Sequence, residues 1–290
     1  MELNQIVLQL KEVGILQGND TVCEPLSGGT SSQVYMISKG GNRYAVKMND
    51  KAIIEAESKF LSFYQDVPYL PKVVYIDPSY NFFVYHFMKG CTNSTAYDKE
   101  ATLIKLTEQL VNHYKPSAKK QSWGWVHYEV SSWHTYLQDE VESAVQILNN
   151  ALISKEDIHF VKRILANLKS KNDLKRAYFL HGDCGFHNFL FSEKQLVGVI
   201  DPSPLIGDPM YDVIFAYCSS PIELSKELIE SVANHVSTWD GDNTTLHQYV
   251  LIGLIVRMSS CKRHHPQDLE AYLQAWDYWK QIVEKGLNSR

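Results

Sequence analysis

The sequence predicts an α+β fold in which a strand-rich N-terminal part precedes a mainly helical remainder. Residues 21–87 hold short apolar runs of strand character and one helical stretch near 51–64. After Gly90, apolar residues recur at helical spacing, and short buried strands interrupt that spacing at 178–201. At 290 residues the chain can bury a large core and is long enough for two lobes.

Local signals justify the individual elements. Leu3, Ile6 and Leu10 form one face of an opening helix that Gly14 ends. The string GGN at 40–42 predicts a hairpin turn between two strands. Ser154 and Asp157 form a capping pair at the start of a later helix. Helices are predicted at 98–115, 129–150, 156–169, 208–217, 221–237, 243–262 and 267–286.

Two strings, HGDCGFHNFLF at 181–191 and GVIDPSPLIGDPMYD at 198–212, carry the chemical signal. They place Asn188 five residues after Asp183, and Asp201 thirteen residues after Asn188. This spacing fits the transfer of a phosphoryl group from a magnesium-bound nucleotide to a hydroxyl. One Asp would orient and deprotonate the acceptor, while the Asn and the second Asp would hold the metal.

Short strands mount these polar residues. YFLHG at 178–182 predicts a strand that runs into a loop, and NFLF at 188–191 with LVGVID at 196–201 predicts a hairpin around the turn SEKQ. A hairpin would hold the two carboxylates at a fixed separation. One Asn oxygen, one Asp and the nucleotide phosphates would then satisfy Mg²⁺, which prefers oxygen ligands and keeps several waters.

The ordered combination HGD-x4-N, ID and GDPxYD resembles the aminoglycoside phosphotransferase and choline kinase family. These are small-molecule kinases with a protein-kinase-like fold. The resemblance implies a bilobal fold, with a nucleotide-binding lobe at 1–88 and a catalytic, substrate-binding lobe at 89–290. It implies that Asp183 is catalytic, that Asn188 and Asp201 bind Mg²⁺, and that ATP or GTP is the phosphoryl donor. Asp212 is expected to accept hydrogen bonds from the catalytic-loop backbone, and His181 to pack beneath that loop.

The resemblance extends to the first third of the chain. In LSGGTSSQVYMI at 26–37, the glycines let the backbone turn and approach phosphates, and the hydroxyl residues add donors. The expected phosphate-binding positions are Ser27, Gly28, Gly29, Thr30, Ser31 and Ser32.

Lys47, at the end of AVK, looks like the lysine that holds the nucleotide's α and β phosphates. Its expected partner is a Glu on the following helix. Glu57 is preferred because Leu61 and Tyr64 follow it at the family's apolar positions, and Glu55 remains an alternative. FFVYHFMKG at 82–90 resembles the strand and linker between the lobes, where the backbone at 86–88 would meet the adenine edge. The linker positions are His86, Phe87 and Met88.

Composition restricts the partners and the compartment. A net charge of −5 without a Lys/Arg-dense stripe argues against a nucleic-acid partner. No apolar run approaches the roughly 18 residues of a membrane span, and the first residues lack a signal-like pattern. The five cysteines are scattered and odd in number, as expected of free thiols in the cytoplasm.

The acceptor is expected to be a small, hydroxylated and cationic molecule. An aminoglycoside or amino-sugar is favoured, and a metabolic acceptor (choline, a methylthioribose-like sugar or fructosamine) is the alternative. Carboxylates that could bind an amine are Glu129, Asp139, Glu140, Glu142, Asp240, Asp242, Asp268, Glu270 and Asp277. Aromatic residues that could stack on a substrate, or belong to the core, are Trp123, Trp125, Tyr128 and Trp133.

Two hypotheses of other classes remain open. The chain could bind nucleotide without transferring phosphate. It could also bind zinc through two clusters of Cys and His residues. These clusters are His181, Cys184 and His187, and Cys261, His264 and His265.

Overall fold

The N-terminal lobe is a five-stranded antiparallel sheet with a helix on each face. In the computed structural model, which describes residues 2–17, 21–26, 32–92, 97–118, 122–171 and 176–288, the strand order is β1-β2-β3-β5-β4. The elements are α1 (Leu3–Glu12), β1 (Val22–Pro25), β2 (Gln33–Lys39), β3 (Asn42–Met48), α2 (Lys51–Phe63), β4 (Val73–Ile76) and β5 (Phe82–His86).

The two faces of this sheet follow the alternation of side chains along its strands. Phe82 and Val84 of β5 pack with α1, whereas Phe83 and Tyr85 join the larger core on the side of α2. The β2–β3 turn uses Gly40 and Gly41, both at positive φ, as the GGN string predicts. This register places Lys47 opposite Phe83, facing α2.

The C-terminal lobe is mainly helical. It contains α3 (Lys99–Gln109), β6 (Trp123–Trp125), β7 (Tyr128–Val130), α4 (Trp133–Leu152), α5 (Lys155–Lys171), β8 (Tyr178–Leu180), β9 (Phe189–Ser192), β10 (Gln195–Val199), β11 (Leu205–Gly207), α6 (Met210–Cys218), α7 (Lys226–Ala233), α8 (Asn243–His264) and α9 (Leu269–Asn288). Helix α8 packs against α4, α6 and α9 and is the centre of this lobe. No helix in the described ranges is long and apolar enough to cross a membrane.

Most predicted elements are present with shifted ends. The capping pair is confirmed, because Asp157 N donates to Ser154 Oγ at 3.0 Å and Ser154 N donates to Asp157 Oδ2 at 3.0 Å. The helix predicted at 221–237 is shorter, since α7 covers only Lys226–Ala233. Strand β5 ends at His86 and α3 begins at Lys99, so a lobe boundary after residue 88 stays a prediction inside this connection.

A four-stranded sheet in the C-terminal lobe was not predicted. Its strand order is β7-β6-β11-β8, and three of its strands fall outside the predicted strand regions or were assigned to helix. The helix predicted from residue 129 therefore begins at Trp133, after β7. Each of these strands has three residues, which is too few to show a period of two in the sequence.

The predicted hairpin is confirmed as β9 and β10. Glu193 and Lys194 form its turn with positive φ values of 49° and 65°. A bulge between Leu196 and Gly198 shifts the register. In the connection between β5 and α3, Cys91 exchanges backbone hydrogen bonds with Phe191 of β9, at 2.9 and 3.0 Å. The linker is thereby attached to the hairpin that leads to Asp201.

Candidate active site

The loop that follows β8 is fixed from below by Asp212. The Asp212 carboxylate accepts hydrogen bonds from His181 N at 3.0 Å, Gly182 N at 3.0 Å and the Tyr114 hydroxyl at 2.6 Å. Burial raises the pKa of Asp212 to about 7, although the three donors favour its charged form. Gly182 has a φ of 80°, and a Cβ there would collide with the carbonyl oxygen of Ser203. The loop conformation therefore requires glycine at 182.

His181 lies fully buried beneath the loop. Its Nδ1 accepts a hydrogen bond from Asp183 N at 3.3 Å, so its Nε2–H is the atom that donates to Ile200 O at 3.1 Å. Burial lowers the pKa of His181 to about 4, which keeps the ring neutral near pH 7. The ring thus connects the Asp183 loop to the chain just before Asp201.

The Asp183 carboxylate is oriented by its loop neighbours. Oδ2 accepts from Asn188 Nδ2 at 2.9 Å and contacts His187 Nε2 at 3.4 Å. Within the described part of the chain, Oδ1 has no hydrogen-bond donor, and 30 % of the side chain is exposed. One carboxylate oxygen is therefore available to an incoming hydroxyl.

Asn188 and Asp201 lie close along the backbone, because Ile200 N, next to Asp201, donates to Asn188 O at 2.9 Å. Asn188 Nδ2 donates to the carbonyl oxygen of Asp183 at 3.0 Å, which leaves its Oδ1 for another ligand. Asp201 follows β10 with a φ of 58°, a left-handed conformation that redirects the chain, and its side chain is 28 % exposed. An amide oxygen and a carboxylate are ligands that suit Mg²⁺, so these residues fit that ion.

Lys47 connects the N-terminal lobe to Asp201. It is buried, forms an ion pair with Glu57 Oε1, and its Nζ lies 3.0 Å from Asp201 Oδ1. Burial alone would lower the pKa of Lys47, but the two carboxylates raise it above its ordinary value, so the lysine is charged. Of the two Glu residues considered from the sequence, Glu57 makes the pair, and Glu55 contacts Lys59 on the surface at 2.6 Å.

The remaining nucleotide-side predictions have different outcomes. Ser27, Gly28, Gly29, Thr30 and Ser31 lie outside the described residues. Ser32 accepts a hydrogen bond from Asn49 Nδ2 at 2.8 Å.

In the linker, the sheet already uses two of the predicted backbone donors. His86 N donates to Lys72 O at 2.9 Å, and Phe87 N donates to Arg43 O at 3.0 Å. Met88 N has no backbone acceptor in the described residues, and the Met88 side chain lies against Gly198. Met88 therefore offers the free backbone donor of the three.

A cleft beside the Asp183 loop lies between α4, α6 and α8. We call it the acceptor cleft; it encloses about 70 Å³, and its lining includes Trp133, Leu137, Glu140, Tyr211, Phe215 and Arg257. Two glycines of the Asp183 loop, Gly182 and Gly185, lie near the wall of this cleft. A Cβ at Gly182 would lie 3.1 Å from Trp125, which in turn contacts Glu140, and a Cβ at Gly185 would lie 3.4 Å from Phe215.

The sequence predicts only part of this cleft. Glu140 was one of nine candidate carboxylates, and burial raises its pKa. Tyr211, Phe215 and Arg257 were not singled out as substrate residues. One signal was present in α4, where Trp133, Leu137 and Glu140 share a face, because a carboxylate on an apolar stripe is unusual. Of the other candidates, Asp242 caps α8 by accepting from Thr245 N at 2.7 Å.

The predicted aromatic residues divide between core and surface. Trp133 is 4 % exposed and belongs to the core as well as to the cleft wall. Tyr128 is 64 % exposed and lies at the surface.

The zinc hypothesis has no grouped ligand set in the described residues, where no three His, Cys, Asp or Glu side chains are placed to hold a metal ion. Cys184 is buried, with its Sγ 3.8 Å from the Tyr114 hydroxyl. Cys261 donates its thiol proton to His265 O at 2.9 Å. The two sulfur atoms are thus engaged within their own lobe.

Lys47 of the N-terminal sheet contacts Asp201 of the helical lobe. This two-lobed arrangement is that of protein-kinase-like phosphotransferases. The chain belongs to the phosphotransferase enzyme family (APH), whose family model matches residues 22–244. This is a family of small-molecule kinases, and the sequence resemblance to it is confirmed.

Solved structures show the same fold. An aminoglycoside phosphotransferase APH(4)-Ia variant in complex with ADP and hygromycin B is 15 % identical, with a TM-score of 0.61 over 97 % of this chain and 98 % of that one. Choline kinase from Cryptosporidium parvum Iowa II is 12 % identical, with a TM-score of 0.63 over 99 % and 97 %. ADP-bound APH(2'')-Ib is 15 % identical, with a TM-score of 0.57 over 96 % and 99 %. No curated protein sequence matches the chain.

Proposed function

We propose that this protein transfers the γ-phosphoryl group of ATP or GTP to a hydroxyl of a small molecule. The observation that carries the proposal is that Lys47 of the N-terminal lobe contacts Asp201 of the C-terminal lobe, which also carries Asp183. Lys47 reaches Asp201 at 3.0 Å, and the neighbouring Asp183 carboxylate is held by Asn188 at 2.9 Å. These contacts support the proposed roles of Lys47 as the phosphate-binding lysine, Asp201 as the metal-binding carboxylate and Asp183 as the base.

In the proposed reaction, the acceptor hydroxyl binds to the free oxygen of Asp183. Its oxygen attacks the γ-phosphorus, and the bond from that phosphorus to the β–γ bridging oxygen breaks. The hydroxyl proton passes to Asp183 and then to solvent. The products are a phosphate monoester and the nucleoside diphosphate. Correct orientation of the hydroxyl is the main contribution of Asp183 to the rate.

The N-terminal lobe would hold the nucleotide. Lys47 would contact the α and β phosphates, and Glu57 would keep the lysine extended. The segment from Ser27 to Ser31 would cover the phosphates. Met88 N would donate to the adenine or guanine edge, with His86 and Phe87 shaping the linker. Mg²⁺, held by Asn188 and Asp201, would neutralise charge on the transferring phosphate.

The acceptor cleft supports a small metabolic acceptor better than an aminoglycoside. A polycationic antibiotic would need several carboxylates, but among the described residues that line the cleft Glu140 is the single acidic one. Its enclosed volume of about 70 Å³ also suits a small molecule. We propose a cytoplasmic location as well, since all five cysteines are free thiols.

The proposal is tested by measuring ADP or GDP release from purified protein with panels of aminoglycosides, choline, amino acids and sugars. We expect acceptor-dependent release that requires Mg²⁺. Titration calorimetry of Mg·ATP with the Asp201→Ala variant is the second measurement, and we expect productive binding to be lost. Equal Mg·ATP affinity in wild type and Asp201→Ala would refute the metal role of Asp201.

A further inference from the structure

The acceptor cleft contains one negative and one positive side chain. Glu140 projects from α4 and Arg257 from α8, and they are the two charged residues in its described lining. The rest of the wall is mostly apolar or aromatic. The two charges cancel in the formal sum, but the negative charge lies on α4 and the positive charge on α8.

Neither charge is neutralised by an ion pair among the described residues. Glu140 Oε1 lies 3.5 Å from Trp125 Nε1, a neutral donor. Arg257 donates through Nε to the Tyr272 hydroxyl at 3.0 Å, and its guanidinium lies 5.6 Å from the centre of that ring. The Tyr272 contact uses one of the five N–H donors of the arginine. Both side chains thus keep binding capacity.

Leaving two partly buried charges unpaired is unfavourable unless a ligand compensates them. A polycation would leave Arg257 opposed by a like charge, and a simple amine would leave it without a partner. A simple anion would have the same effect on Glu140. A molecule that carries both an ammonium and a carboxylate would satisfy both groups.

We infer that the acceptor is a small zwitterion that carries an ammonium, a carboxylate and a hydroxyl, of the hydroxy amino acid class. Glu140 binds its ammonium group and Arg257 binds its carboxylate. The aromatic walls contact its carbon atoms, and the hydroxyl points to Asp183. This inference rests on the proposed phosphotransfer, and it specifies the substrate class of the same cleft.

The first test uses matched compounds. Serine and homoserine are each compared with the amino alcohol that lacks the carboxylate and with the hydroxy acid that lacks the ammonium. In the coupled assay for ADP release, we expect kcat/KM for the better hydroxy amino acid to exceed both of its singly charged analogues by about tenfold or more. An amino alcohol that is as good a substrate as its parent amino acid would overturn the inference.

The second test assigns the two charges. Glu140→Gln is expected to remove the preference for the hydroxy amino acid over the hydroxy acid. Arg257→Gln is expected to remove the preference for the hydroxy amino acid over the amino alcohol. Arg257→Lys should retain part of this second preference. Glu142→Gln and Arg163→Gln are the controls, because Glu142 is exposed on α4 and Arg163 is exposed on α5. Unchanged selectivity in both Glu140→Gln and Arg257→Gln would contradict the assignment.

Binding without turnover separates this inference from the proposed function. The shift in melting temperature on addition of serine or homoserine is measured without nucleotide. A shift that depends on Glu140 and Arg257, with no ADP formed from any acceptor, supports the zwitterion site and refutes phosphotransfer. Phosphorylation of an aminoglycoside or choline, with no response to hydroxy amino acids in either assay, overturns the zwitterion site and leaves phosphotransfer standing. No response in either assay overturns both.

Discussion

The carboxylate of Asp183 is held from one side. Asn188 and His187 both approach Oδ2, at 2.9 and 3.4 Å, and Oδ1 faces away from these donors. A base held this way keeps one oxygen directed at the substrate without a competing internal hydrogen bond. The loop therefore fixes the orientation of the Asp183 carboxylate, the proposed base, before any substrate binds.

Replacing Asp183 by Asn should lower kcat by about 10²–10⁴-fold, because the amide cannot accept the hydroxyl proton. Nucleotide affinity should remain near that of the wild type, since Asp183 lies on the acceptor side. Steady-state assays give kcat, and calorimetry gives the affinity for Mg·ATP. Near-full turnover by Asp183→Asn would show that another group acts as the base.

Gly185 gives the His187 ring the space to reach Asp183. A Cβ at residue 185 would lie 2.5 Å from Nδ1 of His187, so Gly185→Ala must displace the ring. We expect kcat to fall by about fivefold, the value of one modest hydrogen bond, with little change in nucleotide KM. Gly286→Ala in α9 is the control, because its Cβ would meet only Thr244 at 3.6 Å. Identical kcat values for the wild type and Gly185→Ala would remove His187 from this role.

At the scale of elements, α2 joins the two lobes through one face. Glu57, Phe60 and Tyr64 follow each other at helical spacing. Phe60 packs edge-on against His181, with ring centres 5.9 Å apart, and the Tyr64 hydroxyl donates to Phe179 O at 2.6 Å. The helix that positions Lys47 therefore also contacts the strand and loop that position Asp183.

The Lys47–Glu57 pair gives a prediction with an internal control. Glu57→Gln should raise the nucleotide KM and lower kcat, each by about tenfold, because the buried Lys47 loses one of its two carboxylate partners and is held in place by Asp201 alone. Glu55→Gln on the same helix should be close to wild type, since Glu55 pairs with Lys59 at the surface. Melting temperatures separate lost activity from lost stability. If Glu55→Gln is the damaging variant, the assignment of the lysine partner is incorrect.

Elements with local signals could be predicted, and those built from distant segments could not. The β2–β3 turn and the β9–β10 hairpin depend on neighbouring residues, so their sequences predicted them. Strand β11 is three residues long and pairs with the distant strands β6 and β8. Strands β6 and β7 form a hairpin, but at three residues each they are too short to show a period of two. The acceptor cleft could not be predicted because Glu140 and Arg257 are far apart in the sequence and line one cleft only through the packing of α4 and α8.

At the scale of the whole molecule, one core runs through the lobe junction. It includes Phe83 of β5, Phe60 of α2, Leu180 of β8 and Leu254 of α8. Buried ionisable groups within this core make folding depend on pH, because burial changes their proton affinity. His181 is one such group in the candidate active site, because burial lowers its pKa.

The contribution of His181 to the stability of the protein should become unfavourable below about pH 6.5. His181 has a pKa of about 4 when folded, against about 6.5 when unfolded, so the unfolded chain binds more protons between these values. Above pH 6.5 the His181 ring is neutral in both the folded and the unfolded state, so its burial does not change the pH dependence of stability there. As the pH falls towards 4, keeping the ring neutral lowers the free energy of unfolding by about 3 kcal/mol. Urea unfolding at several pH values measures this slope. His181→Gln should flatten it relative to the exposed control His264→Gln, and equal slopes would contradict the role of His181.

The backbone bridge between Cys91 and Phe191 has a practical consequence. Cys91 is the exposed thiol of the five cysteines, whereas Cys184, Cys218 and Cys261 are buried and Cys23 is half-buried. A thiol-reactive fluorophore would therefore attach selectively to the linker, at a residue whose backbone is anchored to the hairpin that carries Asp201. Cys91 is thus a native attachment site for a fluorophore at the junction of the lobes. Nucleotide binding could be followed by the fluorescence of the labelled protein without introducing a new cysteine.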